Sequence, residues 1–462
     1  MSEVKNVRVA FYTLGCKLNQ AETESLAEQF SEAGYSLVPP SEPADIYIAN
    51  TCTVTHIADR KSRHWLRLAR RRNPEALIVA TGCYAQRAPE ELTSLADLIL
   101  RNGEKEHLLE VVKEMTVCPQ EPCRGAPRGL PQIGRGQVRP VQGQFARGRS
   151  ARVRSLIKIQ DGCHSPCTYC IVPSVRSHEY SLPAAQIIEE INERMAAGYQ
   201  EVVLTGTKIG CYKNDGVGLR ELVERILGAT DIRRLRLSSL QPQELSAEFL
   251  ALWQDAALSA GGGSRLCHHL HLAVQSGSGT VLQRMRRRYS LDDYQEAVNS
   301  IRQAIADVAI TTDVMVGFPG ESDEEFEQSY RFCQQAGFAN IHVFPFSPRP
   351  GTEAAKMPDQ VEDRVKKERT QRMLELSRSS QHSFCRQFQG RTVWVLWEKE
   401  TNPGSGIYSG RTDNYIRVFA RSEKPLTNKI ASARLVRFCD HGMWGELLRP
   451  FSCGGADGCR VS

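Results

Sequence analysis

The chemistry of this chain is most concentrated in Cys163, Cys167 and Cys170, three of its fifteen cysteines, set in KIQDGCHSPCTYC. The C-x3-C-x2-C spacing puts three thiolates on one loop, directly after the strand-like run Ser155–Ile159. Thiolates are soft ligands that suit iron–sulfur clusters. A four-iron cluster held by three cysteines leaves one iron open to a substrate or cosubstrate, which a purely structural or electron-transfer site does not need. The same cysteines with His164 also satisfy a structural zinc site of the Cys3His kind. Spacing alone leaves both readings open.

A second set is more dispersed. Cys16 in TLGCKLNQ, Cys52 in ANTCTV and Cys83 in ATGCYAQ each lie just past an apolar strand-like run. The runs Val7–Leu14, Asp45–Ala49, Leu77–Ala80 and Asp97–Leu100 alternate with helical stretches, Ala21–Ala33 and the very basic His56–Arg72. Such alternation predicts an α/β domain with a mostly parallel sheet. Ligands of open α/β sheets gather beyond the carboxyl ends of the strands, so cysteines on three loops can meet at one point. Three ordinary buried cysteines fit the same pattern.

Six further strand-like runs must position the central cysteines: Leu156–Ile159, Glu201–Leu204, Arg234–Leu237, His269–Val274, Ile310–Gly317 and Ile341–Phe346. Helical stretches such as Ala184–Ala197 and Asp323–Ala336 separate them. Active sites of parallel barrels lie at the carboxyl ends of the strands. There the chain carries Thr205-Gly206, Ser238-Ser239, Gln275-Ser276-Gly277 and Gly317 to Glu321, with Ser322 as a helix N-cap candidate. Residues 118–150 hold five prolines, six glycines and six arginines against the single acid Glu121, a basic connector in which Cys118 and Cys123 have no assigned role. Residues 361–388 read as a charged helix. Beyond it, Thr392–Trp397, Tyr415–Phe419 and Ala433–Phe438 suggest a small β-barrel, where Arg391, Arg411, Arg417, Arg421 and Arg434 offer phosphate contacts and Tyr408 and Tyr415 stacking surfaces.

At 462 residues the chain exceeds the usual size of one core. Its 41% hydrophobic and 24% charged content is that of a globular protein. No run of about 18 apolar residues occurs, and the N-terminus lacks a signal-peptide core, so no membrane is expected and the cytoplasm is the expected location. The cysteines do not resemble a secreted disulfide scaffold. A net charge of +6 is modest, so nucleic-acid binding must rest on local patches.

Together TLGCKLNQAETESL, NTCTVT, TGCYAQR, the central motif, LTGTKIG, QSGSG, VGFPGES and the C-terminal segment resemble the radical-SAM methylthiotransferases over nearly the whole chain. With this resemblance the zinc reading recedes. It implies an α/β protein: a flavodoxin-like parallel-sheet domain over 1–117, a linker over 118–150, a radical-SAM partial (βα)6 barrel with its connecting helix over 151–387, a TRAM-like RNA-binding β-barrel over 388–452, and a tail over 453–462 whose Cys453 and Cys459 are unexplained. It also implies two [4Fe–4S] clusters. Cys163, Cys167 and Cys170 would hold the catalytic one, with S-adenosyl-L-methionine (SAM) on its open iron and Tyr169, Thr205, Gly206 and Gln275 around it. Cys16, Cys52 and Cys83 would hold the other, where a sulfur species is methylated.

The implied partners are tRNA, an electron donor such as a flavodoxin or ferredoxin, and a sulfur source. TLGCKLNQAETESL is most similar to the threonylcarbamoyladenosine branch, which implies conversion of N6-threonylcarbamoyladenosine, next to the tRNA anticodon, to its 2-methylthio form. The rivals are isopentenyladenosine in tRNA, a ribosomal protein side chain and, further off, a non-catalytic metal-containing RNA-binding protein. The threonyl carboxylate would need a cation on burial. Arg176 is the expected bidentate partner, with a structural salt bridge as the alternative. Ser177 and Gln241 stand where this family usually has Gly and Glu.

Overall fold

The computed structural model describes residues 7–117, 153–255, 264–439 and 442–448, which divide into two compact units. The 118–150 connector and the tail, with Cys118, Cys123, Cys453 and Cys459, lie outside the described residues. Unit 1 comprises the N-terminal segment and Ile171–Ser177; unit 2 holds the rest.

Unit 1 is built from β1 (Arg8–Thr13), α1 (Lys17–Glu32), β2 (Ser36–Val38), β3 (Ile46–Thr51), α2 (His56–Arg72), β4 (Leu77–Gly82), α3 (Cys83–Arg87), β5 (Leu98–Ile99) and α4 (Leu108–Val117). The short helix α5 (Val172–Val175) joins them. All strand pairs are parallel, in the order β2-β1-β3-β4-β5. This is the flavodoxin-like order. Every residue of β3 is buried because helices cover both sheet faces. Tyr47 and Ala49 pack on Trp65, Leu66 and Ala69 of α2, while Ile46 and Ile48 pack on Leu26 and Phe30 of α1. Helix α2 has the expected bounds, capped by Thr55, whose side chain accepts from Ala58 N. Helix α1 starts four residues before the expected Ala21, because its first turn, Lys17–Gln20, carries little apolar signal.

Unit 2 opens with β6 (Arg154–Asp161), β7 (Tyr180–Ser181), α6 (Ala184–Ala196), β8 (Glu201–Gly206), β9 (Lys213–Asn214), β10 (Val217–Gly218), α7 (Leu219–Ala229), β11 (Arg234–Leu237), β12 (Ser239–Leu240) and α8 (Ala247–Asp255). It continues through β13 (His269–Leu272), α9 (Gly279–Arg284), α10 (Leu291–Ala304), β14 (Ala309–Val316), α11 (Asp323–Ala336) and β15 (Asn340–Pro345). Strands β6, β8 and β11 form one parallel ladder and β13, β14 and β15 another. Leu235 N to Arg265 O at 2.7 Å and Cys267 N to Leu235 O at 2.9 Å join the two. The six expected strands thus run side by side in chain order as an open barrel, and no ladder pairs β6 with β15 among the described residues. Alternate residues explain the packing. Ile157, Ile159, Val202, Leu204, Leu235, Leu237, Leu270, Leu272, Ile310 and Val314 enter the core shared with the helices. Most of the intervening positions are polar, including Gln160, Glu201, Thr205, Arg236, His271 and Asp313, with Val203 and Met315 as exceptions.

Helix α12 (Asp363–Arg386) leads to a closed barrel of β16 (Thr392–Glu400), β17 (Ile407–Thr412), β18 (Arg417–Arg421), β19 (Lys429–Cys439) and β20 (Gly442–Leu447), ordered β16-β17-β18-β20-β19. Val395, Trp397, Val418, Leu435 and Met443 fill it. Among the described residues no helix is long and apolar enough to cross a membrane.

Candidate functional site

In unit 1, Cys16, Cys52 and Cys83 follow β1, β3 and β4 directly. Cys16 and Cys52 therefore flank the boundary between β1 and β3, the switch point where ligands of this topology bind. Asn19, fully buried, ties the loops together: its Nδ2 donates to Leu14 O at 2.8 Å and to Thr51 O at 3.1 Å, the carbonyls two residues before Cys16 and one before Cys52. Gly15, at φ +111°, lies so close to Cys52 that a Cβ there would stand 2.9 Å from the Cys52 Cβ and 3.0 Å from its Sγ. Burial pushes the Cys52 thiol up to about 12, and the thiols of Cys83 and Cys16 push it the same way. The three sulfurs thus share one neighbourhood.

Cations surround this set. Arg176 spans the Glu22 carboxylate, Nη1 to Oε1 at 2.8 Å and Nη2 to Oε2 at 3.0 Å, and its Nη2 also donates to Asn19 Oδ1 at 2.9 Å. Lys105 Nζ donates to Glu22 Oε2 at 2.6 Å. The side chains of Arg176, Lys105 and Glu22 are 4%, 8% and 9% exposed, so the network is buried. Burial pulls the Lys105 ammonium down while Glu22 holds it up. The Arg176 fork is thus engaged by Glu22 and Asn19, the structural ion pair expected as the alternative to a substrate contact.

In unit 2 the central loop leaves β6 through Gly162, at φ +81°, where a Cβ would stand 2.1 Å from His178 O; only glycine makes this turn. Gln160 holds the loop mouth, donating from Nε2 to Asp161 O at 2.9 Å and Gly162 O at 2.8 Å while Oε1 accepts from Lys208 N at 2.8 Å. Thr168 fixes the far side through Arg284 O at 3.0 Å and Met285 O at 3.2 Å. Cys163, Cys167 and Cys170 are free thiols of intermediate exposure. Ser165 N and Arg287 Nη1 each donate toward a sulfur at 3.4 Å, on Cys163 and Cys167 respectively. Arg287 also reaches the Tyr169 hydroxyl at 3.3 Å. The imidazole of His164 faces Glu179 at 3.4 Å and is 63% exposed, so it turns away from the zinc-ligand role. Among the described residues no three His, Cys, Asp or Glu side chains gather closely enough to hold a single metal ion. Three thiols on a glycine-turned loop, with N–H donors on two of the sulfurs, fit a four-iron cluster.

Thr205 and Gly206 close β8, with Thr205 buried. Gln275, beyond β13, adopts φ +69°, a strained conformation for a side-chain-bearing residue, held by Gln275 N to Asp313 O at 2.9 Å and Met315 N to Gln275 O at 2.8 Å. Tyr169 packs with Val281, Met285, Phe318 and Phe346. Sequence reasoning missed Gln160, Arg287 and Asn19. Gln160 had one signal, a polar residue inside a strand-like run just before Gly162-Cys163.

The C-terminal barrel presents less basic surface than expected. Tyr408 lies in its core. Tyr415 stacks on His269 at 4.7 Å and meets the guanidinium groups of Arg236 and Arg411 at 4.6 and 4.4 Å. Arg391 pairs with Asp307. Arg421 and Arg434 remain exposed, and Arg437 joins them.

Residues 8–100 match the family described as Uncharacterized protein family UPF0004, and residues 157–333 match the Radical SAM superfamily. The chain is 35% identical over 440 residues to "Threonylcarbamoyladenosine tRNA methylthiotransferase MtaB" of Bacillus subtilis, covering 93% of this chain and 94% of that relative. The protein of the same name from Thermotoga maritima is 35% identical over 421 residues, covering 90% and 91%. "tRNA-2-methylthio-N(6)-dimethylallyladenosine synthase" of Moorella thermoacetica is 31% identical over 448 residues, covering 94% and 97%. Among solved structures, the radical S-adenosylmethionine methyltransferase TsrM from Kitasatospora setae is similar in fold, with a TM-score of 0.55 and 15% identity over 76% of this chain and 75% of that one.

Proposed function

Since the chain belongs to the radical-SAM tRNA methylthiotransferases, we propose that its substrate is N6-threonylcarbamoyladenosine next to the tRNA anticodon, converted to the 2-methylthio form. The reading rests on the relatives named for that nucleoside, which match at 35% identity over most of the chain. The isopentenyl-type alternative is favoured by relatives such as the Moorella synthase at 31%.

Cys163, Cys167 and Cys170 would hold one [4Fe–4S] cluster, and Cys16, Cys52 and Cys83 a second. When bound, the clusters and SAM supply a 5′-deoxyadenosyl radical and a transferable methylated sulfur. The protein's own contribution is position. Gln160, Gly162 and Thr168 hold the central loop rigid, while Arg287 orients Tyr169 and neutralises charge at Cys167. Tyr169, Thr205, Gly206 and Gln275 would line the SAM site at the strand ends. Asn19 would set the spacing of the loops bearing Cys16 and Cys52. An electron donor of the flavodoxin or ferredoxin type and a sulfur source complete the cycle.

The test is to incubate reconstituted enzyme with tRNAs carrying each modified adenosine and to analyse the nucleosides by mass spectrometry. Methylthiolation of the threonylcarbamoyl tRNA is the expected result. Product from the isopentenyl tRNA alone would overturn the substrate while leaving the reaction class intact.

A further inference from the structure

Helix α2 of unit 1 carries a charge pattern that the cysteine site does not use. Its buried side, Asp59, Ser62, Trp65, Leu66 and Ala69, faces the sheet. On the opposite side Arg60, His64, Arg67 and Arg71 fall on one stripe, with successive spacings of four, three and four residues, and all four are exposed. Lys61 is exposed beside them. The single acid of the helix, Asp59, is buried and engaged by Arg87 at 3.2 Å and by Thr53. Arg63 and Arg70 are paired with Glu91 and Asp97. Arg60, Lys61, Arg67 and Arg71 make no ion pair among the described residues. From Arg60 to Arg71 the stripe runs ~16 Å at 1.5 Å per residue. Near the N-terminus of the helix, just past Cys52, Val54 and Ile57 are 52% and 53% exposed.

We propose that this face of α2 is a docking surface for the phosphate backbone of the tRNA substrate. Unpaired cations one or two helical turns apart along one face suit a regular polyanion, and the absence of any exposed acid on the helix leaves nothing to repel it. An acidic protein would offer no reason for such a regular stripe. The exposed Val54 and Ile57 continue the surface from the cations toward the loop of Cys52, where an apolar base face can rest. The inference also accounts for the C-terminal barrel, where several of the arginines and both tyrosines expected to meet RNA are already engaged. It rests on the reading that tRNA is the substrate.

The experiment measures tRNA binding by the reconstituted full chain across a salt titration. It compares the parent with a variant in which Arg60, Lys61, Arg67 and Arg71 are all changed to Gln, and with a variant in which the three arginines are changed to Lys. The Gln variant should lose about 3 units of slope in log affinity against log salt, at ~0.7 to 0.9 per phosphate contact, and at least roughly tenfold in affinity near 0.1 M salt. Iron content and tRNA-independent SAM cleavage should stay at parental levels, and the Lys variant should bind as the parent does. Parental affinity and slope in a folded Gln variant would overturn the docking surface and leave α2 a solvated face. Failure of the parent itself to bind tRNA would instead overturn the functional reading, and this inference with it.

Discussion

Two buried carboxylates, Glu201 in unit 2 and Glu22 in unit 1, each hold more than one cation, and the surplus positive charge goes to different places. Glu201 takes Arg236 at 2.7 Å and Arg234 at 3.8 Å. The remaining guanidinium N–H groups donate to main-chain carbonyls: Arg236 to Asp413 O at 2.9 Å, and Arg234 to Arg411 O at 2.9 Å and Trp394 O at 2.8 Å. Backbone dipoles of the closed barrel absorb the excess, and the network docks that barrel onto the strands. Around Glu22 the excess meets a side-chain amide instead: Arg176 Nη2 also donates to Asn19 Oδ1 at 2.9 Å, and Asn19 Nδ2 in turn holds the carbonyls beside Cys16 and Cys52. The same ion-pair chemistry fixes a barrel where main-chain carbonyls take the surplus, and it steadies two cysteine-bearing loops where Asn19 does.

The largest expected effect comes from breaking the unit 2 network. Glu201→Ala strands Arg236 in the interior and should cost about 3–5 kcal/mol of stability, read by thermal or denaturant unfolding. Iron content per folded chain should not change. In unit 1, Asn19→Ala removes bonds to Leu14 O, Thr51 O and Arg176 together, costing about 1–3 kcal/mol. Unlike the Glu201 variant, it should also lower the iron retained after reconstitution. Full iron content in Asn19→Ala would erase the distinction between the two networks.

Acid sharpens the contrast further. Burial alone would raise the Glu201 carboxyl, but Arg236, Arg154 and Arg234 outweigh it and hold it below the ordinary glutamate range. A carboxyl depressed on folding contributes stability that is full above its unfolded value, about 4.3, and is lost as pH falls through the folded one. The parent should therefore lose stability below about pH 4 more steeply than Glu201→Gln does, as followed by unfolding midpoints against pH. The smallest effect is local. Gln275→Gly relieves the positive φ and should gain at most about 1 kcal/mol, yet it should raise the apparent KM for SAM if the side chain lines that site.

Much of the architecture was legible because burial repeats along the chain. The six barrel strands announce themselves as strand-like runs, and α2 by its density of basic residues between His56 and Arg72. Strand β2 is only three residues long, β17 carries Ser409 and Gly410, and β20 carries two glycines, so none offers an apolar run. The cysteines were legible as types and spacings. Their supports were not: the partner of Arg176 is Glu22, far away in sequence, and whether Tyr415 stacks on RNA or on His269 depends on how the closed barrel docks. Chemistry-bearing residues can be read locally, whereas what neutralises and orients them is set by tertiary contact.

The central claim is that two cysteine sets do two separate jobs, and one comparison tests it most directly. Iron and 5′-deoxyadenosine are measured in reconstituted enzyme with Cys163, Cys167 and Cys170 all changed to Ala, and in enzyme with Cys16, Cys52 and Cys83 all changed to Ala. Each variant should keep about four of roughly eight irons. Only the first should lose reductive SAM cleavage, while both should fail to form methylthio product. Full iron in either variant, or methylthio product from the second, would contradict the account.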